Sequence, residues 1–228
     1  MLGIVIPAHN EERHIAAAVD AAAAAARHRD LRGEPVEILV VLDSCDDLTG
    51  VRACQHGAHT LSLRGRNVGF ARAAGAAALL GMGARWLVFR DGERRVSKEW
   101  LAHQLSLDAD AVCGTVAVDD WSSHGEHASW LQAQFDANYL DADGHSHVHG
   151  ANLGVSAAAY RRVGGFRHLH CSEDQQLVAT LARSGARIAW SAKPRVVTSA
   201  RRDVRVQGGF GSHLNDVVAA RGCGTRRA

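Results

Sequence analysis

Short apolar runs alternate with helical patterns from the chain start to Phe89, and this alternation restricts the chain to few folds. Leu2–Ile6 reads as a strand, Glu11–His28 as a helix and Val36–Leu42 as a second strand. Thr60–Leu63, the helical pattern Val68–Leu80 and the run Arg85–Phe89 continue the series. Val36–Leu42 is rich in β-branched residues, as suits a central parallel strand covered on both faces. Ala16–Ala26 is low in complexity, yet alanine is the best helix former, so the block is compatible with an ordered helix. The βαβαβαβ rhythm predicts an α/β fold with a doubly wound, mostly parallel sheet and right-handed crossovers.

The second half is less regular. Lys98–Leu107 reads as a helix, Ala111–Val118 as a strand and Ser129–Leu140 as a helix. Val148–Ser156 reads as a strand, and Ser172–Ser184 as a helix stopped by Gly185. Arg187–Thr198 is expected to form a final strand pair interrupted at Pro194, and the Gly-rich stretch from Gly208 to be loosely held. With 228 residues and no linker rich in Pro, Gly or Ser, the chain is expected to be one domain, 1–228.

A net charge of +2 with scattered basic residues gives no footprint for nucleic acid. No apolar run has the length of a membrane span and no signal sequence opens the chain, so the expected location is the cytoplasm. Five cysteines, odd in number and without a Cys-x-x-Cys pair, argue against a disulfide framework or structural zinc. Cys54 and Cys113 read as buried small hydrophobes. Oligomeric state is not legible.

The polar groups that end the first strand, in Pro7-Ala8-His9-Asn10-Glu11-Glu12, stand where open α/β sheets bind ligands. The following helix is expected to aim unpaired N–H groups at an anion there. Asp43, Asp46 and Asp47 follow the second strand, and Asp91-Gly92-Glu93 ends the fourth. Glu173-Asp174 opens a helix. Singly, such clusters are more often caps or solvated turns. Asp43 and Asp91 resist that reading, because parallel neighbours set their strand ends side by side. Carboxylates converging on one crevice repel unless a cation lies between them, and oxygen ligands with an open position suit Mg²⁺ or Mn²⁺ on a diphosphate. Asp141-Ala142-Asp143 follows a helix and reads as a turn. His145, His147 and His149 alternate like residues on one strand face, with zinc binding the less favoured reading. Trp121 and Trp130 suit the core better than an acceptor platform.

Taken in order, these segments resemble family 2 glycosyltransferases of the GT-A fold. Ile4-Val-Ile-Pro-Ala-His-Asn-Glu-Glu12 is similar to their opening, and Val40-Val-Leu-Asp43-Ser-Cys-Asp-Asp-Leu-Thr49 to their second-strand signature. Arg66-Asn67-Val-Gly69-Phe-Ala71 resembles their Ala-Arg-Asn-x-Gly segment. The run Trp86–Leu101 resembles the strand ending in their Asp-x-Asp metal motif, with its trailing Trp-Leu. His149-Gly-Ala-Asn-Leu-Gly-Val-Ser156 followed by Gly164-Gly-Phe resembles their acceptor-side strand and turn, and Glu173-Asp174 their Glu-Asp pair. The whole chain further resembles a small bacterial subgroup of unassigned acceptor.

The resemblance implies a nucleotide-sugar half, 1–110, an acceptor and catalytic half, 111–200, and a tail, 201–228. It implies that Pro7, Ala8 and Asn10 line a nucleotide pocket, with Glu11 near the ribose or base. Asp43 would accept a hydrogen bond from the base, and Arg66 would approach base or diphosphate. Asp91 would hold the metal, with Glu93 its second candidate ligand. Asp174, paired with Glu173, would deprotonate an acceptor hydroxyl. The implied activity is inverting transfer of a sugar from a nucleoside-diphosphate donor, with Mg²⁺ or Mn²⁺. Asp91-Gly92-Glu93 departs from Asp-x-Asp and is flanked by Arg90, Arg94 and Arg95. An arginine of that group turned into the site predicts weakened metal dependence. The alternatives are a catalytically silent nucleotide-sugar binder and a sugar nucleotidyltransferase. The latter is expected to carry a Gly-rich, Arg/Lys-containing loop after the first strand, which this chain lacks.

Overall fold

A computed structural model describes residues 1–92, 95–200 and 217–219. The strands β1 (Leu2–Ala8), β2 (Val36–Asp43), β3 (His59–Leu63), β4 (Trp86–Phe89), β5 (Arg95–Val96), β6 (Ala111–Asp120), β7 (Leu153–Ser156) and β8 (Ile188–Ser199) form one sheet in the order β3-β2-β1-β4-β7-β6-β8-β5. The first four strands are parallel, as the alternation predicts. β7 enters antiparallel between β4 and β6, and β8 returns parallel to β6. The helices are α1 (Ile15–Ala26), α2 (Thr49–Gln55), α3 (Val68–Gly81), α4 (Trp100–Ser106), α5 (Ala128–Asn138), α6 (Ala157–Arg162) and α7 (Glu173–Arg183). One face of the sheet buries Ile4, Ile6 and Val88 with Ile15 and Val19 of α1 and Trp100 of α4. The other buries Val5, Val41 and Phe89 with Ala76 and Leu79 of α3 and Leu177 of α7.

β1 runs to Ala8, beyond the predicted Ile6. Its pairing with β4 stops at Val5↔Phe89, while pairing with β2 continues through Pro7↔Val41 to Ala8↔Leu42. Pro7 shares the β4-facing side with Val5, and β4 has ended by then, so its missing N–H breaks no ladder.

The helix expected from Glu11 starts at Ile15. Asn10 is left-handed (φ 53°), and the Glu11 carbonyl accepts the amides of His14 and Ile15 at 2.9 Å. The expectation of free amides facing an anion here fails. Glu11 N–H donates to Thr49 Oγ1 at 2.8 Å, Glu12 N–H to Asp47 Oδ2 at 3.1 Å, and Asn10 N–H to Cys45 Sγ at 3.4 Å. Cys45 and Asp47 of the β2–α2 loop and Thr49 of α2 take the amides that precede α1.

The predicted pair around Pro194 is one strand, β8, with a bulge: its register against β6 jumps from Gly114↔Ser191 to Val116↔Val196. His145–His149 form a loop, not a strand face, and the strand predicted from Val148 begins at Leu153. Cys54 is exposed, whereas Cys113 is fully buried. The Gly-rich stretch from Gly208, apart from residues 217–219, lies outside the described residues, as does Glu93.

Candidate active site

Three loops meet at the carboxyl ends of β1, β2 and β4. His9 Nδ1–H donates to the Asp43 carbonyl at 2.8 Å. Asn10 binds Asp46 twice, Nδ2–H to the carboxylate at 2.5 Å and Oδ1 to the Asp46 amide at 3.0 Å. Glu11 is 6% exposed, and a Cβ at Gly92 would lie 3.4 Å from its Cγ. Glu11 thus lies against the Asp91-Gly92 turn, and Asn10 against Asp46, at the carboxyl ends of β1, β2 and β4.

Asp43 turns its carboxylate onto the β3–α3 loop. Its carboxylate accepts the amides of Gly65, Arg66 and Asn67 at 2.7, 2.8 and 2.7 Å, and the Ser44 hydroxyl at 3.0 Å. Burial opposes its ionisation, but the amides of Gly65, Asn67 and Arg66 outweigh burial and hold the carboxyl below its ordinary value. Asp43 therefore anchors the β3–α3 loop and exposes Arg66 upon it, in a left-handed conformation (φ 45°).

On the far side of α3, the guanidinium of Arg72 joins both halves of the chain. Arg72 Nη2–H donates to Asp91 Oδ1 at 2.7 Å, and Nη1–H to Glu173 Oε1 at the start of α7. Arg72 and Glu173 are 4% and 3% exposed, and the Asp91 side chain 28%. Gly150 lies over this bridge: a Cβ there would stand 2.7 Å from the guanidinium, which would have to shift. The Gly150 N–H in turn donates to Asp174 Oδ2 at 2.6 Å, and Gln175 N–H to Asp174 Oδ1 at 2.7 Å. Asp91 and the Glu173-Asp174 pair, remote from each other in sequence, are gathered by one arginine and one glycine. Beneath them the Cys113 thiol is pushed up to about 12, by burial first and then by the Asp174 charge.

Sequence reasoning missed Arg72. The readable signal was an arginine at an inward position of an Ala-rich helix, in the buried series Gly69, Arg72, Gly75, Ala76 and Leu79. Of the three arginines that flank Asp91-Gly92-Glu93 in sequence, Arg90 and Arg95 have partners outside the Arg72 bridge. Arg90 is fully buried with Nη1–H on the Ala18 carbonyl at 2.6 Å, and Arg95 pairs with Asp119. Arg94 lies outside the described residues. Those two cations therefore supply no ground for weakened metal dependence.

Next to Gly150, Trp100 Nε1–H donates to Asn152 Oδ1 at 2.9 Å, and the Asn152 amide donates to the Thr115 carbonyl at 2.8 Å. The Trp-Leu and His-Gly-Ala-Asn segments thus lock β6, β7 and α4 together beneath Gly150. Phe135, Tyr139, His147 and His145 stack successively at 4.6, 4.1 and 5.4 Å. Tyr139 OH and His149 Nε2 are hydrogen-bonded at 2.8 Å. Asp143 accepts from Ser191 Oγ–H at 2.7 Å and the Ala192 amide at 2.9 Å, which makes Asp141-Ala-Asp143 a structural turn. Trp121 is buried with Leu131, and Trp130 packs against them.

A family model described as glycosyl transferase family 2 matches residues 3–164. The chain belongs to that family. Its fold is that of GT-A glycosyltransferases. TarS of S. aureus (residues 1–349, with UDP-GlcNAc) superposes with a TM-score of 0.65 at 15% identity, over 96% of this chain and 65% of that one. The mannosyltransferase PcManGT of Pyrobaculum calidifontis, with GDP-Man and Mn²⁺, gives 0.63 at 16% identity, over 89% of this chain and 57% of that one. Glucosyl-3-phosphoglycerate synthase of M. tuberculosis gives 0.59 at 18% identity, over 96% and 78%. The family 2 chain described here spans under two thirds of the length of TarS 1–349 and PcManGT. No curated protein matches its sequence. Among the described residues, no helix is long and apolar enough to cross a membrane.

Proposed function

We propose that this family 2 member transfers a glycosyl group from a nucleoside-diphosphate sugar to an acceptor hydroxyl, with inversion at the anomeric carbon. The observation that carries this reading is the seat of Asp174. Its carboxylate is held by the Gly150 amide beside the Arg72 bridge to Asp91, which supports a base next to a donor-side carboxylate. A hydroxyl attacking an anomeric carbon needs a base within hydrogen-bond reach, worth roughly 10²–10⁴ in rate. Asp174 takes that proton as the new C–O bond forms and the nucleoside diphosphate departs from the opposite face. Glu173 and Arg72 hold the start of α7, and with it Asp174, against the donor side. Asn10 and Arg66 border the nucleotide. TarS with UDP-GlcNAc and PcManGT with GDP-Man support this class of donor.

The charge balance bears on a metal. Two carboxylates, Asp91 and Glu173, share the one guanidinium of Arg72, so that bridge alone leaves a carboxylate charge uncompensated beside Asp174. Among the described residues no three His, Cys, Asp or Glu side chains converge as ligands. Magnesium, however, commonly uses one or two carboxylates and completes its shell with substrate phosphates and water. Asp91, partly exposed at a strand end, fits that mode and would hold the ion against the diphosphate; Glu93 lies outside the described residues. A bound divalent cation would neutralise charge on the leaving group.

Donor binding is therefore expected to depend on the ion. Calorimetric titration of UDP-, GDP- and dTDP-sugars with Mn²⁺ or with EDTA tests this. Saturable binding of one donor that weakens about tenfold or more on chelation, a loss of some 1.4 kcal/mol, is the expected result. Equal affinity under both conditions would remove the ion from the reading, and no binding of any donor would remove the donor.

A further inference from the structure

Two long stretches of this chain lack any acidic residue, 48–90 and 144–172. The fold brings one basic loop from each together. Arg64 and Arg66 stand on the β3–α3 loop, and Arg167, His168 and His170 on the segment leading into α7; all five are exposed. The loops interlock through backbone. Gly69 N–H donates to the Leu169 carbonyl at 3.1 Å, and Asn67 Nδ2–H to the His168 carbonyl at 3.0 Å. The Phe70 ring meets His168 edge-on at 4.9 Å. A Cβ on Gly69 would stand 2.3 Å from the Arg167 carbonyl, so glycine is what lets the loops close this far. None of the guanidinium groups of Arg64, Arg66 and Arg167 has a hydrogen-bond or ion-pair partner among the described residues.

Three unpaired guanidinium groups on two adjoining loops repel one another, and the repulsion is relieved by an anion. Guanidinium matches phosphate through parallel charge-assisted hydrogen bonds. The place of the patch identifies its anion. Gly69, which touches the Arg167 loop, and Arg72, which holds Glu173 beside Asp174, are three residues apart on α3, about 4.5 Å along its axis. One turn of α3 thus touches both the basic loops and the seat of Asp174.

Resting on the glycosyltransferase reading, we propose that the acceptor is a phosphorylated hydroxy compound. Its phosphate is received by Arg64 and Arg167 while Asp174 takes the proton from its hydroxyl.

Inorganic phosphate, titrated calorimetrically into the full chain at ionic strength fixed with chloride, tests the site. The titration is run with and without a saturating nucleoside diphosphate. Saturable phosphate binding in both states is expected. The Arg64→Ser/Arg167→Ser double variant should weaken it about tenfold or more, while leaving nucleotide affinity and melting temperature near wild type. Phosphate binding abolished by the nucleotide would assign the arginines to the donor diphosphate and overturn the proposal. Absence of saturable binding, or equal binding by the double variant, would overturn it as well. Failure of the glycosyltransferase reading shows separately, as a chain that binds phosphate but no nucleoside diphosphate.

Discussion

A single side chain, Arg72, ties the two halves of the candidate site. It is nearly as buried as the Glu173 it pairs with, and buried ion pairs are asymmetric: the intact pair adds little net stability, whereas removing one partner strands the other charge. Arg72→Met is expected to cost about 3–5 kcal/mol, read from urea denaturation, because Glu173 is left buried without its cation. Arg72→Lys should recover part of that loss, since an ammonium restores the charge but cannot span Asp91 and Glu173 as a fork does. Equal stability of Arg72→Met and wild type would show that the bridge is dispensable. Asp91 illustrates how a strand-end carboxylate can be located from sequence while its partner escapes notice. The partner sits in an alanine-rich helix whose pattern otherwise reports only packing.

Among the elements, the β3–α3 loop shows the same logic turned to conformation. Asp43, at the end of β2, collects three consecutive amides of this loop and fixes the left-handed Arg66. Its carboxyl titrates below the ordinary range in the folded chain, so its contribution is present above the unfolded value of about 4 and is lost as pH falls through the folded value. Asp43→Asn should therefore cost about 2–4 kcal/mol near neutral pH, with the gap to wild type closing in acid. Denaturation curves of both proteins across that range check it; a constant gap would mean that the charge on Asp43 does not hold the loop. Donor affinity should fall with the loop's order, since Arg66 rides on it.

For the whole molecule, the parallel half of the sheet was legible because βαβ rhythm and handedness leave few topologies. The second half was not. The antiparallel insertion of β7 between β4 and β6, and the bulge at Pro194, arise from pairings distant in sequence that no local period encodes. Likewise Asp91, Glu173 and Asp174 could be named from the sequence, but not the arginine and glycine that gather them. The expected anion-facing helix end was filled by Thr49 and Asp47, a tertiary choice invisible in the strand-turn-helix pattern. In the proposed function, the assembled molecule has a donor side and a base side held in fixed relation by Arg72. The most direct test of that claim is donor turnover by Asp174→Asn, compared with wild type at saturating nucleotide sugar and Mn²⁺, with water as the acceptor. Unchanged donor affinity with turnover reduced roughly 10²–10⁴-fold is predicted. Turnover equal to wild type would contradict the assignment of Asp174 as the base, and with it the reading of these two sides as a glycosyl-transfer site.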